Sequence, residues 1–109
     1  MDQTQLELIR GTLDVIILKA LAWGPLHGYA ITSVIHRQTD KALLVEEGTL
    51  YPALHRLERA GLLTSRWSEL NGRRRRVYQS TAKGRKVLAA RQQDWTSFAR
   101  AVQGVLEGI

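Results

Sequence analysis

One stretch, residues 47–63, constrains the fold more than any other part of the chain. Its leucines recur every three or four positions, which is the spacing of one face of an α-helix. Pro52 has no backbone N–H to donate, so it belongs in the first turn, and this makes Thr49 the predicted N-cap. Gly61 can adopt the left-handed conformation that ends a helix. The face opposite the leucines carries the groups able to contact a partner: Thr49, Tyr51, His55, Arg56 and Arg59.

A β-hairpin is predicted directly after this helix. Asn71-Gly72 separates two runs of β-type residues, and Asn-Gly in that setting is the strongest short-range indication of a tight turn between strands. Four consecutive arginines follow the turn. Because side chains alternate along a strand, two arginines should lie on each face, so not all four are expected to reach one partner at once. Arg74 and Arg76 are expected on one face, and Arg73 and Arg75 on the other.

A helix with a basic face followed by a hairpin with a basic tip is typical of winged helix-turn-helix proteins that bind DNA. In that arrangement the helix enters the major groove and the hairpin contacts the phosphates. Arg56 or Arg59 can pair with both O6 and N7 of a guanine. Thr49 or Tyr51 can contact a phosphate or a thymine methyl group. The arginines at 73–76 are assigned mainly to phosphates.

The motifs in these segments resemble those of the PadR family of bacterial transcriptional regulators. The matching segments are residues 27–29, 48–58, 61–62 and 78–84. The resemblance extends from about residue 13 to residue 95, and it departs at Ser80, where the family usually has an apolar residue. It implies a winged helix-turn-helix regulator of the short form, with a single C-terminal dimerisation helix. It also implies repression that ends when a small molecule binds or the state of the cell changes.

The remaining elements complete a mainly α, α+β fold with three N-terminal helices, a two-stranded wing hairpin and a long C-terminal helix. Residues 1–80 are predicted to be the winged helix-turn-helix DNA-binding domain, and residues 81–109, which begin at a Thr81 N-cap, the dimerisation helix. Tyr29, at the start of the second helix, is expected either to contact a DNA phosphate or to pack between helices. The extended connector at residues 43–45 is expected to close the bottom of the core.

The first and last helices are predicted to form a homodimer interface, so that the first helix serves both its own domain and a partner. Residues 6–23 are apolar nearly all round, which indicates burial on more than one side. From residue 88 to residue 109, apolar side chains follow alternating steps of three and four, interrupted by Arg91. A chain of 109 residues has little surface of its own to cover such a stripe. The residues assigned to this interface are Leu13, Ile17, Leu88, Trp95, Phe98, Val102 and Val105.

Composition favours a polyanionic partner and argues against several kinds of site. The net charge is +6, and between residues 56 and 91 eleven Lys and Arg accompany only two Glu. This charge favours nucleic acid first and an anionic membrane second. For the predicted homodimeric regulator, the expected partner is double-stranded DNA with a palindromic operator. There is no cysteine and the three histidines lack metal-ligand spacing, so no metal, cofactor or enzymatic activity is predicted. Without a signal peptide or an apolar run of ~18 residues, the protein is expected to be cytoplasmic and free of the membrane.

Two other partners and one ligand site remain as alternatives. A winged helix can instead dock an acidic protein, and dependence on base sequence would distinguish the two. RNA is a weaker candidate, because no aromatic stacking platform is recognised on the hairpin. The resemblance also implies a ligand site, since Trp95 is spaced from Gly84 like a tryptophan with which multidrug-sensing PadR-like regulators sandwich planar aromatic ligands. Trp95 then either lines such a slot, with Arg91 giving it a polar wall, or only packs the dimer core.

Overall fold

A computed structural model describes the backbone of residues 3–108 and the side chains of residues 11–108. Within this range the chain folds into four helices and three strands. They are α1 (Gln3–Ala20), β1 (Leu26–His27), α2 (Gly28–Gln38), α3 (Glu47–Arg59), β2 (Leu63–Leu70), β3 (Arg73–Ser80) and α4 (Ala82–Gly108). The strands form one antiparallel sheet in the order β1-β3-β2. The fold is the predicted winged helix, mainly helical with a small sheet, and the short strand β1 is an addition to the predicted elements.

The wing hairpin has the predicted turn. Asn71 and Gly72 have φ angles of 53° and 76°, and a type I′ turn requires positive φ at both central positions. The two strands pair along their whole length, from Leu70 opposite Arg73 at the turn to Leu63 opposite Ser80 at the base. At the base, Leu63, Tyr78 and Ser80 on one face are buried, whereas Leu70, Arg73 and Arg74 beside the turn are exposed. The arginines therefore project from the end of the wing that is furthest from the core.

The hydrophobic core lies between α1, α2 and α3, and the base of the wing closes it. Its largest fully buried side chains are Ile17, Leu18, Leu21, Ile31, Leu50, Leu54, Leu57 and Leu63. Two residues assigned to the dimer interface, Ile17 and Leu88, belong to this core, with exposed fractions of 0% and 9%. Because these side chains fill the chain's own core, they present no surface to a second chain, and their assignment to the interface is wrong.

The start of α4 is attached to the end of α3. Thr81 is the N-cap of α4, as predicted: its Oγ1 accepts the Gly84 N–H at 3.0 Å and donates to the Gly61 carbonyl oxygen at 2.7 Å. Gly84 packs so closely against the preceding loop that a Cβ would collide with the Leu62 carbonyl oxygen. Gly61, with a φ of 79°, ends α3 as expected. The base of α4 is therefore packed directly against the end of α3.

The start of α3 differs from the prediction. The helix begins at Glu47, its N-cap is Glu46, and Pro52 lies inside it rather than in its first turn. The Glu46 carbonyl oxygen already accepts the Thr49 N–H at 3.0 Å, so Thr49 is a helical residue and not the cap. The missing N–H of Pro52 leaves the carbonyl of exposed Gly48 without its helical donor, a position that water can reach. The helix thus begins about one turn earlier than predicted and tolerates one missing hydrogen bond.

The connector between α2 and α3 also differs from the prediction. Leu43 and Leu44 are 44% and 65% exposed, so they do not close the core, and only Val45 packs against it. Asp40 and Lys41 have positive φ angles of 50° and 68°. The turn formed there directs the next residues outward, and the expected role of residues 43 and 44 is wrong.

Candidate nucleic-acid interface

A cleft of about 670 Å³ separates the exposed side of α3 from the wing. Its walls are formed by His27 of β1, Gly28 and Tyr29 of α2, Tyr51 and His55 of α3, and Trp67, Tyr78 and the arginines 73–76 of the wing. Seven of the ten residues predicted to contact DNA are thus brought together. Thr49 and Arg59 are exposed outside the cleft, and Arg56 is turned away from it.

His27 connects the second helix to the wing. His27 occupies the N-cap position of α2, where its Nδ1 lies 3.3 Å from the Ala30 backbone nitrogen, while its Nε2 lies 2.9 Å from Arg75 Nη1. Both neighbours can only donate, and a neutral imidazole has one acceptor nitrogen, so the shorter contact with the charged guanidinium is the stronger of the two. Burial, and then the charge of Arg75, lower the pKa of His27 below its ordinary value of 6.5. The neutral ring is therefore the form that this site stabilises.

Tyr29 and Tyr51 both lie at the start of α2. Tyr29 is 75% exposed and its ring is stacked on His27, with 6.5 Å between ring centres, so it does not pack between helices. Its contact with a DNA phosphate stays a prediction. The Tyr51 hydroxyl lies against Gly28, where a Cβ would approach it within 2.5 Å. Glycine at this position thus allows α3 and the N-terminus of α2 to meet at the cleft.

Trp67 organises the arginines on the inner face of the wing. The guanidinium carbons of Arg74 and Arg76 lie 4.8 Å and 5.4 Å from the centre of its ring. Arg76 Nε also donates to Ser65 Oγ at 2.9 Å, and its Nη2 lies 3.8 Å from Glu58 Oε2. The predicted alternation is observed, because Arg75 points instead to His27 on β1.

The sequence interpretation missed Trp67, although the signal was present. The two-residue turn fixes the register of the hairpin, and counting back from it places Trp67 opposite Arg76. Trp67 is 55% exposed, so the hairpin does carry an exposed aromatic ring. Further down the same face Tyr78 is buried, which raises the pKa of its phenol and keeps the hydroxyl neutral.

Arg56 is held by an ion pair rather than facing the cleft. Its Nη2 donates to Asp14 Oδ1 of α1 at 2.6 Å, and Arg91 Nη1 of α4 lies 3.5 Å from the other oxygen of the same carboxylate. Helical spacing puts Pro52, His55 and Arg59 on the exposed ridge of α3, with Arg56 on the flank toward α1. The expectation that Arg56 is presented to a guanine is corrected by this contact.

Comparison with known proteins gives the family of the chain. The profile of the transcriptional regulator PadR-like family matches residues 17–90. The chain belongs to this family. It is 39% identical over 98 residues to a transcriptional regulator of Mycobacterium tuberculosis, which covers 90% of this chain and 89% of the relative. The protein is therefore a transcriptional regulator, and the winged helix is the part with which PadR-like proteins bind DNA.

Solved structures agree with this assignment. A transcriptional regulator from Clostridium thermocellum superposes with a TM-score of 0.81 at 34% identity, covering 89% of this chain and 95% of that one. A PadR family regulator from Eggerthella lenta gives a TM-score of 0.76 at 36% identity, covering 95% and 89%. Both likenesses include most of α4 as well as the winged helix, so the long C-terminal helix is part of the shared architecture.

The PadR-like regulator has a second groove, between α1 and α4, with a volume of about 460 Å³. Trp95 lies in it and is 47% exposed, with the Phe98 ring 6.4 Å away. The other side chains at this groove include Val15, Ile16, Leu43, Arg91 and Asp94. Beyond the groove, α4 continues with exposed apolar side chains at Val102, Val105 and Leu106. Leu13 is half-buried against the core, so it remains available to a partner at its outer side.

Two further properties concern the described part of the chain. None of its helices combines the length and the apolar character needed to cross a bilayer. Its His, Asp and Glu side chains nowhere gather in groups of three that could hold a metal ion.

Proposed function

We propose that the protein is a homodimeric repressor that binds a palindromic DNA operator, with α3 in the major groove and the wing on the phosphates. The observation that carries this proposal is the shared cleft, in which Tyr51 and His55 of α3 face the same space as the wing arginines. His55 and Arg59 on the ridge are the candidate base contacts. Tyr29, Thr49, Tyr51 and the arginines 73–76 are the candidate phosphate contacts.

The proposed dimer interface rests on the apolar surface of α4. Trp95, Phe98, Val102 and Val105 are between 41% and 59% exposed in the single chain. Such a stripe on a small regulator is costly in water, and a second α4 related by a two-fold axis would cover it. Leu13 of α1, which is half-buried in the single chain, is included in the proposed interface. Two winged helices related by that axis would contact two half-sites, which is why the proposed operator is a palindrome.

The proposed effector site is the α1–α4 groove. Trp95 offers a flat apolar wall, Arg91 offers a cation beside it, and the groove is open in the single chain. Planar aromatic compounds would stack on such a wall. Fluorescence titration of wild type beside Trp95→Phe tests this proposal, because Trp23 and Trp67 also emit. If planar compounds leave both fluorescence and DNA affinity unchanged, Trp95 only packs the dimer core.

Selection of DNA from a random pool with the purified protein tests the function most broadly. A two-fold symmetric sequence that binds much more tightly than unrelated DNA supports the proposal. Retention of DNA without any sequence preference would support the protein-interaction hypothesis instead, in which the basic face meets an acidic partner. A reporter gene placed downstream of the selected sequence then measures repression, and an increase in expression would contradict the repressor role.

A further inference from the structure

A nearly buried carboxylate joins three helices of the regulator. Asp14 of α1 has an exposed fraction of only 8%. Its Oδ1 accepts from Arg56 Nη2 of α3 at 2.6 Å, and its Oδ2 lies 3.5 Å from Arg91 Nη1 of α4. Short, charge-assisted contacts of this kind are stronger than neutral hydrogen bonds. The position of the Arg56 guanidinium is therefore set by a residue of another helix, 42 positions away in sequence.

Arg56 lies at the edge of the α3 surface that faces DNA in the proposed function. Successive residues of an α-helix are about 100° apart, so Arg56 is roughly a quarter-turn from His55 on the exposed ridge. Its side chain is 39% exposed even while it contacts Asp14. An arginine stem is long and flexible enough to direct the guanidinium to the carboxylate or to a nearby phosphate, and one guanidinium cannot do both fully.

We propose that Asp14 limits sequence-independent DNA binding by withholding the Arg56 charge from the DNA backbone; this inference rests on the proposed DNA-binding function. A mobile arginine beside the ridge would pair with the phosphates of any sequence, because phosphate contacts carry no sequence information. Pairing it with Asp14 removes that contact and leaves discrimination to the groups on the ridge. The carboxylate thus lowers affinity for the operator and for unrelated DNA alike.

The second arginine connects this restraint to α4. Arg91 contacts the same carboxylate and also lies at the α1–α4 groove beside Trp95. One carboxylate shared by two cations holds each less strongly than it would hold one alone. A displacement of Arg91 therefore changes how firmly Arg56 is held, without any direct contact between the groove and DNA.

Asp14→Asn is the informative substitution because it removes the charge and keeps the shape. Replacing Arg56 by Ala would instead leave a nearly buried carboxylate with a weaker partner, and this is destabilising in itself. With the charge gone, Arg56 is free to turn to a phosphate. One additional phosphate contact makes the slope of log affinity against log salt steeper by about 0.9.

The experiment measures the salt dependence of binding to a selected operator and to unrelated DNA for four proteins. They are wild type, Asp14→Asn, the double variant Asp14→Asn/Arg56→Gln, and Glu107→Gln, whose carboxylate lies at the far end of α4 beside Gln103. Asp14→Asn should steepen the slope by about one unit and raise affinity for unrelated DNA several-fold at low salt. The double variant should return to the wild-type slope. Glu107→Gln removes one negative charge, as Asp14→Asn does, and should leave the slope unchanged.

Three results would overturn the inference. The first is an unchanged salt slope in Asp14→Asn, and the second is an equally steep salt slope in Glu107→Gln. The third is a loss of operator affinity in Asp14→Asn, which would mean that Asp14 orients Arg56 toward DNA. If Asp14→Asn does not fold, as judged by circular dichroism, the salt slope of Arg56→Gln tests the inference by itself. It should keep the wild-type slope because Arg56 contacts no phosphate, and a slope shallower by about one unit would contradict this. Failure of wild type to bind DNA at all would instead contradict the proposed function.

Discussion

The guanidinium of Arg74 lies 4.8 Å from the centre of the Trp67 ring, and Arg76 lies over the same ring at 5.4 Å. The indole therefore holds two neighbouring cations of the wing on the face that borders the cleft. Each such contact at an exposed site is worth about 0.5–1 kcal/mol. Arginines held in this way lose less conformational freedom when they bind a phosphate, so Trp67 preorganises the wing although it carries no charge.

Replacing Trp67 by Ala should weaken binding to all DNA sequences roughly fivefold, the equivalent of about 1 kcal/mol. The slope of log affinity against log salt should stay as in wild type, because no charge is removed. Trp67→Phe keeps an aromatic face and serves as the control, with a smaller decrease in affinity. Fluorescence anisotropy with labelled DNA at several salt concentrations measures both quantities. A shallower slope in Trp67→Ala would show that the arginines no longer reach the phosphates.

His27 should make the stability of the protein depend on pH. The folded state lowers the pKa of His27 below its ordinary value of 6.5, through burial and the charge of Arg75, so folding favours the neutral ring. The contribution of His27 to the free energy of unfolding is fully present above pH 6.5. It is lost as the pH falls through 6.5 toward the lower pKa of the folded state. His27→Asn retains a side chain that can cap α2 but does not titrate. Urea unfolding of both proteins at a series of pH values should show a smaller loss of stability on acidification in the variant.

Gly84 should be far less tolerant of a methyl group than Gly104, although both lie in α4. A Cβ at Gly84 would collide with the Leu62 carbonyl oxygen, whereas nothing lies within 4 Å of one at Gly104. Gly84→Ala should lower the free energy of unfolding by about 1–3 kcal/mol. Gly104→Ala should raise it by up to ~1 kcal/mol, because alanine is the better helix former. Equal effects in denaturant titrations would show that α4 is not tightly attached to the Leu62 loop.

The proposed dimer predicts a strong effect of charge at the middle of the α4 stripe. Phe98 and Val102 are 53% and 41% exposed in the single chain. Changing both to Glu would bring like charges together across a two-fold interface and should give a monomer in sedimentation experiments. Gln93→Glu/Arg100→Gln lowers the net charge by the same two units at exposed positions on the opposite face of the helix and should remain dimeric. A folded Phe98→Glu/Val102→Glu variant that stays dimeric would place the interface elsewhere.

The local elements could be predicted because their determinants are close together in sequence. Asn71-Gly72 alone determines the turn and, through it, the register of the hairpin. Thr81 caps α4 through a contact three residues away. In these cases the side chain and the backbone it controls are neighbours, so periodicity and turn chemistry are sufficient.

The contacts of individual charged side chains in the site could not be predicted in the same way. Arg56 occupies a helix position that periodicity alone leaves near the exposed face, and its partner Asp14 is brought to it only when α1 packs on α3. Ile17 and Leu88 likewise have the spacing of an interface stripe, but the fold uses them in its own core. Contacts between residues far apart in sequence determine where these side chains lie, and the pattern of a single sequence does not reveal those contacts.

The most direct test of the proposed function compares salt dependence with sequence discrimination in two variants. The wing should supply affinity and α3 should supply specificity, since Arg74 and Arg76 lie on the hairpin while Arg59 lies on the exposed ridge of α3. Arg74→Ala/Arg76→Ala should weaken binding to all sequences and lower the salt slope by about one unit for each arginine that binds a phosphate in wild type. Arg59→Ala should instead reduce the ratio of operator to unrelated affinity at particular bases. If the wing variant keeps its salt slope and loses only its preference between sequences, this division between wing and helix is wrong.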